Sequence, residues 1–505
     1  MAYWMNDPKN EGRLVLAGGS PGQSFPIPSQ AGAVVSPATT SGTEGQFSDI
    51  QQAIDYVNSL GGGAVLIKAG TYDVTEEITI PSNVYLTGES PFNTTIRNTG
   101  TNRAILIDGE FRTNSDSVSL TNGDATVTGT SSSFVTDGVQ AGDVLFVRDL
   151  GVEYIVASVT DNTHLEITEN YQGDAISGAF FTIYDASNSS NIGISNVTID
   201  GSAVEAESFV TTVVISEGRN ITLENVIITG SLEADDLTIT DVANYRISNS
   251  IFKNASDRGI AIGGGYGVLS GVYGNKNGAY GIYISSSARL IGCQVVANGA
   301  DGIFMEQGGN NAPLVEGCFI SGNAGSGVIV VLCEGAQVQN NRIVNNGSYG
   351  IEVGGGPDVS VDTIISGNYI DGNTSGDISD SGTGTIRATR YVPIDPVLVL
   401  NTNPTVTSFA DLDVTAQTSA TAYAVTGQCL IAAATGGRIL RMRANGSASS
   451  GTNELTKINN VSTTFGSWGG FTCDLDSGQI LEWAANNADV SIVRIVITGY
   501  WEYVD

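Results

Sequence analysis

The chain has 505 residues, too many for one ordinary core, so several domains or an elongated repeat are expected. With 21 Lys and Arg against 52 Asp and Glu, its formal net charge is -31. Such a surface repels phosphate backbones and anionic lipids, which disfavours a nucleic-acid partner and membrane insertion. The 5 cysteines lack a C-x-x-C spacing and His164 is the only histidine, which argues against a zinc site, a haem attachment or a His-based triad. Neither a metal nor a cofactor is predicted.

Residues 1–45 mix Pro, Gly and Ser with short apolar segments. This composition predicts an irregular leader that becomes ordered only against a partner, or else a disordered tail. The first residues have neither a basic start nor a long apolar run, so no secretory signal is expected. Further on, apolar residues at 50, 53, 54 and 57 follow helical spacing, and three glycines then end this short helix.

A repeat follows from about residue 191, with a small or polar residue before each short apolar strand. These residues recur at steps of 21 to 29, which suits one coil of three short strands. We align them in one column: Asn196, Asn225, Ser250, Gly271, Cys293, Cys318, Asn341 and Asn368. Residues 46–111 and 186–392 are therefore predicted to form a parallel β-solenoid, in which stacked Asn side chains make structural amide ladders. Cys293 and Cys318 are interpreted as small buried residues rather than as a disulfide.

Two other segments have a different pattern of strands and turns. Residues 112–185 interrupt the repeat with a compact all-β insertion, predicted to be a small barrel or sandwich. Residues 393–505 alternate apolar and polar positions over longer strands, which predicts a C-terminal β-sandwich. The expected fold class is all-β, with a short helix at the start of the solenoid.

The cap helix, the first coil "AVLIKAGTYDVTEEITIPSNVYLTGES" and the repeat resemble the right-handed β-helix proteins of the pectate-lyase-like superfamily. Within it, the inserted segment "GVQAGDVLFV", the separate C-terminal β domain and the missing signal sequence are most similar to tailspikes and receptor-binding proteins of bacterial viruses. That resemblance implies a homotrimer on a virion that binds host cell-surface polysaccharide, with or without cleaving it. It also implies attachment to other virion proteins through residues 1–45, and a role for residues 393–505 in trimerisation or glycan binding.

The chain departs from the enzymes of that superfamily in its motifs. The Gly-His-Gly and Arg-x-Lys motifs of the hydrolase type are absent, and the repeat has few basic residues of the kind that the lyases need. No catalytic residue can therefore be carried over. Two alternatives to a tailspike remain open: a secreted polysaccharide lyase or glycoside hydrolase, and a structural virion decoration protein without glycan activity.

The candidate site comes from the second pattern of the repeat, in which Gly is followed by Ile or Val at every second position. If those apolar residues point inward, the intervening ones form an outward column: Ala261, Tyr283, Phe304, Ile329 and Glu352. Aromatic rings stacked along a solenoid suit sugar rings, so we predict substrate binding by Tyr280, Tyr283, Phe304, Tyr349 and Asp257. The predicted catalytic carboxyls are Asp301, Glu306 and Glu352. The alternative is that the same column is a subunit interface.

Two more acidic clusters, Glu205 with Glu207 and Asp235 with Asp236, are interpreted as solvated turn residues. Since neighbouring residues on a strand face opposite ways, only one residue of the second pair could join a groove.

Overall fold

The computed structural model describes residues 31–37, 47–109, 111–113, 117–148, 150–185, 190–204, 210–309, 312–354, 360–387, 389–402, 410–418, 422–433, 438–444, 456–460, 467–475, 480–485 and 490–503. The chain divides into two compact units, Met1–Ile386 and Arg387–Asp505. The first unit is a right-handed parallel β-helix with a small inserted β-barrel, and the predicted fold class is confirmed. Within the described residues no helix has the length and hydrophobicity that crossing a bilayer requires.

The β-helix has three parallel faces, and each coil contributes one short strand to each face. Face 1 contains Ala31–Val35, Gly63–Ile67, Val84–Gly88, Ser190–Ser195, Arg219–Glu224, Ala243–Ser248, Leu314–Glu316, Gln337–Gln339, Ile364–Ser366 and Ile386–Arg387. Face 2 contains Ile78–Thr79, Ile105–Asp108, Val213–Ser216, Leu237–Thr240, Ile303–Gly309, Val328–Cys333, Tyr349–Val353 and Gly376–Asp380. Face 3 contains Gly70–Val74, Thr94–Asn98, Thr198–Asp200, Ile227–Thr229, Ile251–Lys253, Tyr273–Asn275, Gln294–Val296, Phe319–Ser321, Arg342–Val344 and Tyr369–Asp371. The long strands Ile260–Ser270 and Ile282–Ile291 run through face 2 and on into face 1.

The one α-helix among the described residues, Ile50–Ser59, lies at the start of the solenoid, where the sequence predicted it. The Asp49 side chain caps it by accepting a hydrogen bond from the Gln52 backbone N–H at 2.8 Å. Its buried residues, at 50, 53, 54 and 57, pack into the first coil. Residues 31–35, which we assigned to the leader, instead form a strand that pairs in parallel with Gly63–Ile67. The leader assignment is therefore wrong for these residues, because their apolar side chains complete the first coil.

The column that we aligned from the sequence is wrong by one residue in three members. The register of face 3 places Asn196, Asn225 and Gly271 in the turn that precedes the inward column, whose members include Ser250, Cys293, Cys318, Asn341 and Asn368. The turn column consists of Asn196, Asn225, Asn249, Gly271, Gly292, Gly317, Asn340 and Gly367, all with φ between 50° and 68°. Only Asn and Gly occupy it because they tolerate left-handed backbone best. Since Asn occurs in both columns, residue type alone could not separate them.

Amide ladders stabilise the stack as predicted, within both columns. The Asn225 side chain donates to the Asn196 side chain at 2.7 Å, and that of Asn341 donates to Asn368 at 3.0 Å. Cys293 and Cys318 are free and buried, in agreement with their interpretation as small core residues. An additional buried ladder links Asn277, Asn298, Asn323, Asn346 and Asn373, each amide donating to the next carbonyl oxygen at 2.9 to 3.0 Å.

This ladder explains the glycine that recurs in the later coils of face 2, from Gly259 onward. A Cβ atom added at Gly302 would lie 2.7 Å from the Asn323 side-chain nitrogen and 2.6 Å from the Gly327 carbonyl oxygen. Gly259, Gly281, Gly327 and Gly350 are crowded by the ladder in the same way. The G-I-x-I motif is thus required by packing, because only glycine leaves room for the amide behind it.

We expect Asn323→Ala to destabilise the β-helix by about 3 kcal/mol, because it removes side-chain hydrogen bonds with Asn298, Asn346 and Val295 and leaves buried partners unsatisfied. The denaturant midpoint of the variant relative to that of the wild type measures this. Asn275→Ala, on the outer surface of face 3, is the matched control and should shift the midpoint little. Equal midpoints for both variants would mean that the ladder contributes no stability.

The insertion is a closed antiparallel barrel formed by Ser117–Leu120, Thr126–Thr130, Val144–Val147, Val152–Val159, His164–Ile167 and Ile176–Tyr184. The strand Phe111–Thr113 joins it to the solenoid by pairing with the last barrel strand. Phe146 and Tyr184 pack on Ala243 of the solenoid, and the Tyr184 hydroxyl donates to the Asp241 backbone carbonyl at 2.7 Å. The barrel therefore packs directly against the solenoid coil that contains residues 241–243.

The second unit contains two four-stranded antiparallel sheets. One has the order Thr389–Thr402, Val490–Tyr503, Ala422–Ala433 and Ser467–Asp474; the other has the order Ala410–Asp413, Ile480–Ala485, Arg438–Ala444 and Thr456–Asn460. A 3-10 helix, Thr415–Gln417, follows the strand Ala410–Asp413. Buried residues from both sheets, such as Leu440, Trp483 and Ile495, form one core. This is the architecture of a β-sandwich.

Candidate functional site

The predicted outward column lies on face 2 in the predicted order. Strand pairing places Ala261 beside Tyr283, Tyr283 beside Phe304, Phe304 beside Ile329, and Ile329 beside Glu352. The alternating Ile and Val residues of the same strands point inward and are buried. Ala261 is itself 5% exposed, whereas the other four side chains are partly exposed. The exposed part of the column therefore begins at Tyr283.

A second column runs alongside it, through the turn before face 2. Backbone hydrogen bonds between successive coils align Arg258, Tyr280, Asp301, Ser326 and Tyr349. Each of these residues precedes the buried glycine by one position, so its side chain points away from the amide ladder and toward the outer surface. The two columns together bring residues from five successive coils to one patch of the surface.

An aromatic platform, which we define as Tyr280, Tyr283 and Phe304, occupies the centre of this patch. The Tyr280 and Phe304 rings stack at 4.9 Å between centroids, and the Tyr283 and Phe304 rings stack at 5.8 Å with an interplanar angle of 14°. The two tyrosine rings are 6.2 Å apart. Partly buried rings in near-parallel stacks form a rigid apolar surface with polar hydroxyl edges.

Arg258, which the sequence did not indicate, holds one edge of the platform. Its guanidinium lies 5.0 Å from the centroid of the Tyr283 ring, in cation–π contact. The same group donates to Asp235 at 2.9 Å and lies 3.7 Å from Asp257. Asp257 therefore lies at the platform edge as predicted, where it shares the guanidinium with Asp235.

The three predicted catalytic carboxyls have different contacts along the strip. Asp301 accepts the Ser326 backbone N–H at 2.6 Å, and the Ser326 hydroxyl donates to Glu352 at 3.0 Å. Glu306 accepts the Tyr283 hydroxyl at 3.0 Å. Ser326 thus links Asp301 to Glu352, while Glu306 is tied to the platform itself.

The pKa of Asp301 is raised by partial burial and further by the negative charge of Glu352, against the lowering effect of the Ser326 hydrogen bond. The pKa values of Tyr280 and Tyr283 are raised as well, first by burial and then by nearby carboxylates. A carboxyl that keeps its proton to higher pH, next to a second carboxyl, is the arrangement that a general acid needs in glycoside cleavage.

Tyr349 is not part of the platform. Its backbone N–H donates to the Ser326 hydroxyl at 3.3 Å, but its ring lies beside Gly376 in the next coil. Tyr349 and Glu352 extend the patch by two coils beyond Phe304 in the direction of the C-terminus. The predicted residues therefore form one continuous strip with the platform at one end.

The second pair of acidic residues is buried, so its interpretation as solvated turn residues is wrong. Asp235 is 4% exposed and binds Arg258 and the Thr238 hydroxyl, whereas Asp236 is 0% exposed. Asp236 lies one coil before Gly259, in register with the glycine column. The neighbouring ladder positions hold Ser231 and Ala255 in place of Asn, and the Ser231 backbone N–H donates to the Asp236 carboxyl at 3.2 Å. The Glu205 and Glu207 cluster lies outside the described residues.

Comparison with known proteins identifies the solenoid. Residues 182–335 and 262–389 match the model of the right-handed beta helix region. No curated protein sequence is significantly similar. Similar solved structures include the mannuronan C-5 epimerase AlgE4 A-module of Azotobacter vinelandii, with 16% identity over 67% of this chain and 91% of that one and a TM-score of 0.37.

Two phage tailspikes are among the other similar structures. The tailspike gp49 of Pseudomonas phage LKA1 is 14% identical over 90% of this chain and 92% of its own, with a TM-score of 0.34. The Gp54 tailspike of Acinetobacter baumannii bacteriophage AP22, in complex with A. baumannii capsular saccharide, is 10% identical over 90% and 94%, with a TM-score of 0.34. At these identities and TM-scores, none of them bears on individual residues of the site. The matched family model and the described coils agree that residues 182–389 are a right-handed β-helix region.

Proposed function

We propose that this protein is a virion tailspike or spike-fibre protein that binds host cell-surface polysaccharide through the strip of face 2 and depolymerises it there. The single observation that carries the proposal is the stack of Tyr280, Tyr283 and Phe304 beside Asp301. Rings stacked on one another present their apolar edges and the two tyrosine hydroxyl groups, which suit the C–H groups and hydroxyl groups of sugar rings. A solenoid repeats such a surface along its length, as a long glycan chain requires.

In this proposal Asp301 donates the proton to the leaving glycosidic oxygen, since its pKa is raised. Glu352, held by the Ser326 hydroxyl, is the partner carboxylate at the anomeric carbon, and water supplies the hydroxyl of the new reducing end when the glycosidic bond breaks. Glu306 orients the Tyr283 hydroxyl. Tyr349 and Asp257 contact the sugar residues at the two ends of the strip. Assignment to a virion, as a homotrimer attached through its N-terminal segment, rests on the sequence resemblance and on the order of solenoid, inserted barrel and β-sandwich.

The test is to incubate the full-length protein with a panel of bacterial surface polysaccharides, recording binding, new reducing ends and the ultraviolet absorbance of unsaturated uronates. Reducing ends without that absorbance are expected from the acid–base arrangement of Asp301 and Glu352. The absorbance would instead indicate a lyase and contradict the roles assigned to these residues. Binding without cleavage would mean that the protein is an adhesin and not a depolymerase. No binding would favour a structural decoration protein.

We expect the double variant Tyr283→Ala, Phe304→Ala to weaken polysaccharide binding by at least about tenfold, because it removes two of the three platform rings. Light scattering should show the same oligomer as in the wild type. Tyr369→Ala is the matched control: Tyr369 is exposed on face 3 under Arg342, whose guanidinium lies 4.8 Å from the ring centroid. Loss of the oligomer in the double variant would identify the platform as a subunit interface.

A further inference from the structure

A cavity of about 540 Å³ lies between the inserted barrel and the solenoid. Arg148 and Phe180 line it from the barrel, and Asp241, Tyr283 and Glu306 line it from the solenoid. Its size falls within the range of about 300–1,000 Å³ that is usual for small-molecule sites. Since Tyr283 and Glu306 also belong to the strip on face 2, the cavity continues the proposed binding surface beneath the barrel.

Gly263, Gly264 and Gly265 contribute only backbone to the cavity lining, beside Ser285, Ser286 and Leu332, and we call this glycine segment the floor. It lies at the point where the long strand Ile260–Ser270 shifts register as it leaves face 2. Gly264 and Gly265 have φ of 72° and 75°, so the turn itself requires glycine. Gly263 does not have such a φ, and a Cβ atom there would meet nothing closer than the Ser285 hydroxyl at 3.5 Å. Glycine at 263 therefore keeps space open that the backbone would allow a side chain to fill.

The walls of the cavity have fixed positions. The Arg148 guanidinium donates to the Phe181 backbone carbonyl at 3.0 Å and lies 3.9 Å from the Asp241 carboxylate. The barrel is also held on the solenoid by Glu153, which accepts from Asn244 at 2.9 Å and lies 3.5 Å from the Arg219 guanidinium. Phe180 is 47% exposed, so much of its ring surface remains accessible. An aromatic wall, a polar wall and an open floor in a rigid frame suit a ligand that is both apolar and rich in hydroxyl groups.

The charges of the lining select among sugars. Among the described residues of the lining, Arg148 and Asp241 carry opposite charges 3.9 Å apart, and Glu306 is the remaining charged side chain. A carboxylate or phosphate on the ligand would be brought close to Glu306 in a partly enclosed space, where repulsion is stronger than in water. A hydroxyl or an amino group could instead donate to it.

We propose that this cavity binds one or two further sugar residues of the same polysaccharide, and that these residues are uncharged or carry an amino group. This inference rests on the proposed function and extends its site from the platform to the space beneath the barrel. The barrel then serves as the second wall of the binding site, and glycans with uronate or phosphate at this position are excluded.

The experiment uses an array of bacterial surface polysaccharides grouped as neutral, amino-sugar-containing, and uronate- or phosphate-containing. The wild type, Gly263→Phe, Phe180→Ala and the control Gly263→Ala are applied to it. Neutral or amino-containing polysaccharides should bind, Gly263→Phe should weaken them by about tenfold or more, and Gly263→Ala should remain within about twofold of the wild type. Phe180→Ala should also weaken binding, because it removes the aromatic side chain that the barrel contributes to the cavity. If Gly263→Phe does not fold, Phe180→Ala still tests the proposal.

Each other result has a distinct meaning. Unchanged binding in both Gly263→Phe and Phe180→Ala overturns the cavity as a binding site while leaving the proposed function in place. Binding by the wild type only to uronate- or phosphate-containing polysaccharides overturns the ligand class. Absence of binding to the whole array overturns the proposed function, and this inference with it.

Discussion

Asp301→Asn is expected to reduce cleavage of a polysaccharide that the wild type depolymerises by about 10²- to 10⁴-fold, the usual contribution of a general acid. Asn keeps an oxygen that can accept the Ser326 backbone N–H, so the local fold should remain. Binding of the polysaccharide should stay within about twofold, since the platform rings are untouched. The measurement is the rate of reducing-end release at saturating polysaccharide.

The pH profile distinguishes the role of Asp301. Because its pKa is raised, Asp301 keeps its proton to a higher pH than an ordinary Asp, and cleavage should fall as pH rises through that raised pKa. Glu352→Gln removes the negative charge that helps to raise this pKa, so the descending limb of the residual activity should move to lower pH. Asp371→Asn, on an exposed strand of face 3, is the control for loss of a carboxylate. An unchanged cleavage rate in Asp301→Asn would show that Asp301 is not the general acid.

The second large effect concerns Asp236 and stability. Burial raises the pKa of this carboxyl well above its ordinary value, and the neighbouring Asp235 charge raises it further, while hydrogen bonds from Ser231 and Lys253 oppose the shift. The folded protein therefore favours the neutral acid. Stability from this residue is fully present below the unfolded-state pKa of about 3.9 and is lost as pH rises toward the folded-state pKa.

Asp236→Asn should remove that loss, because its amide is neutral at every pH and its oxygen can still accept the Ser231 backbone N–H. Above pH 4 the wild type should lose about 1.4 kcal/mol of stability per pH unit relative to the variant, until the folded-state pKa is passed. Denaturant unfolding at several pH values measures the difference. Asp371→Asn is again the matched control. A constant difference between wild type and Asp236→Asn from pH 4 to 8 would contradict a protonated Asp236.

Much of the site geometry was predictable from the sequence. The two-residue alternation of Gly-Ile-x-Ile strands fixes which side chains point outward, and parallel stacking at about 4.8 Å then places Tyr283, Phe304, Ile329 and Glu352 in one column. The spacing of the apolar residues likewise placed the cap helix at 50–59. The column of Asn196 and Asn225 was misaligned by one residue, because Asn suits both the left-handed turn and the inward ladder beside it.

By itself the sequence determined the solenoid, its coil length and the outward order of the strip, because these depend on a local alternation that repeats every coil. Tertiary structure decided the rest: the position of Arg258 over Tyr283, the burial of Asp236 beside the ion pair of Asp235 with Arg258, and the cavity between Phe180 and Glu306. Each of these depends on how side chains from different coils, or from the barrel and the solenoid, pack against one another. Spacing along the chain indicates which strand a residue belongs to and which way it points. Its protonation, exposure and neighbours depend on contacts between coils and between the barrel and the solenoid.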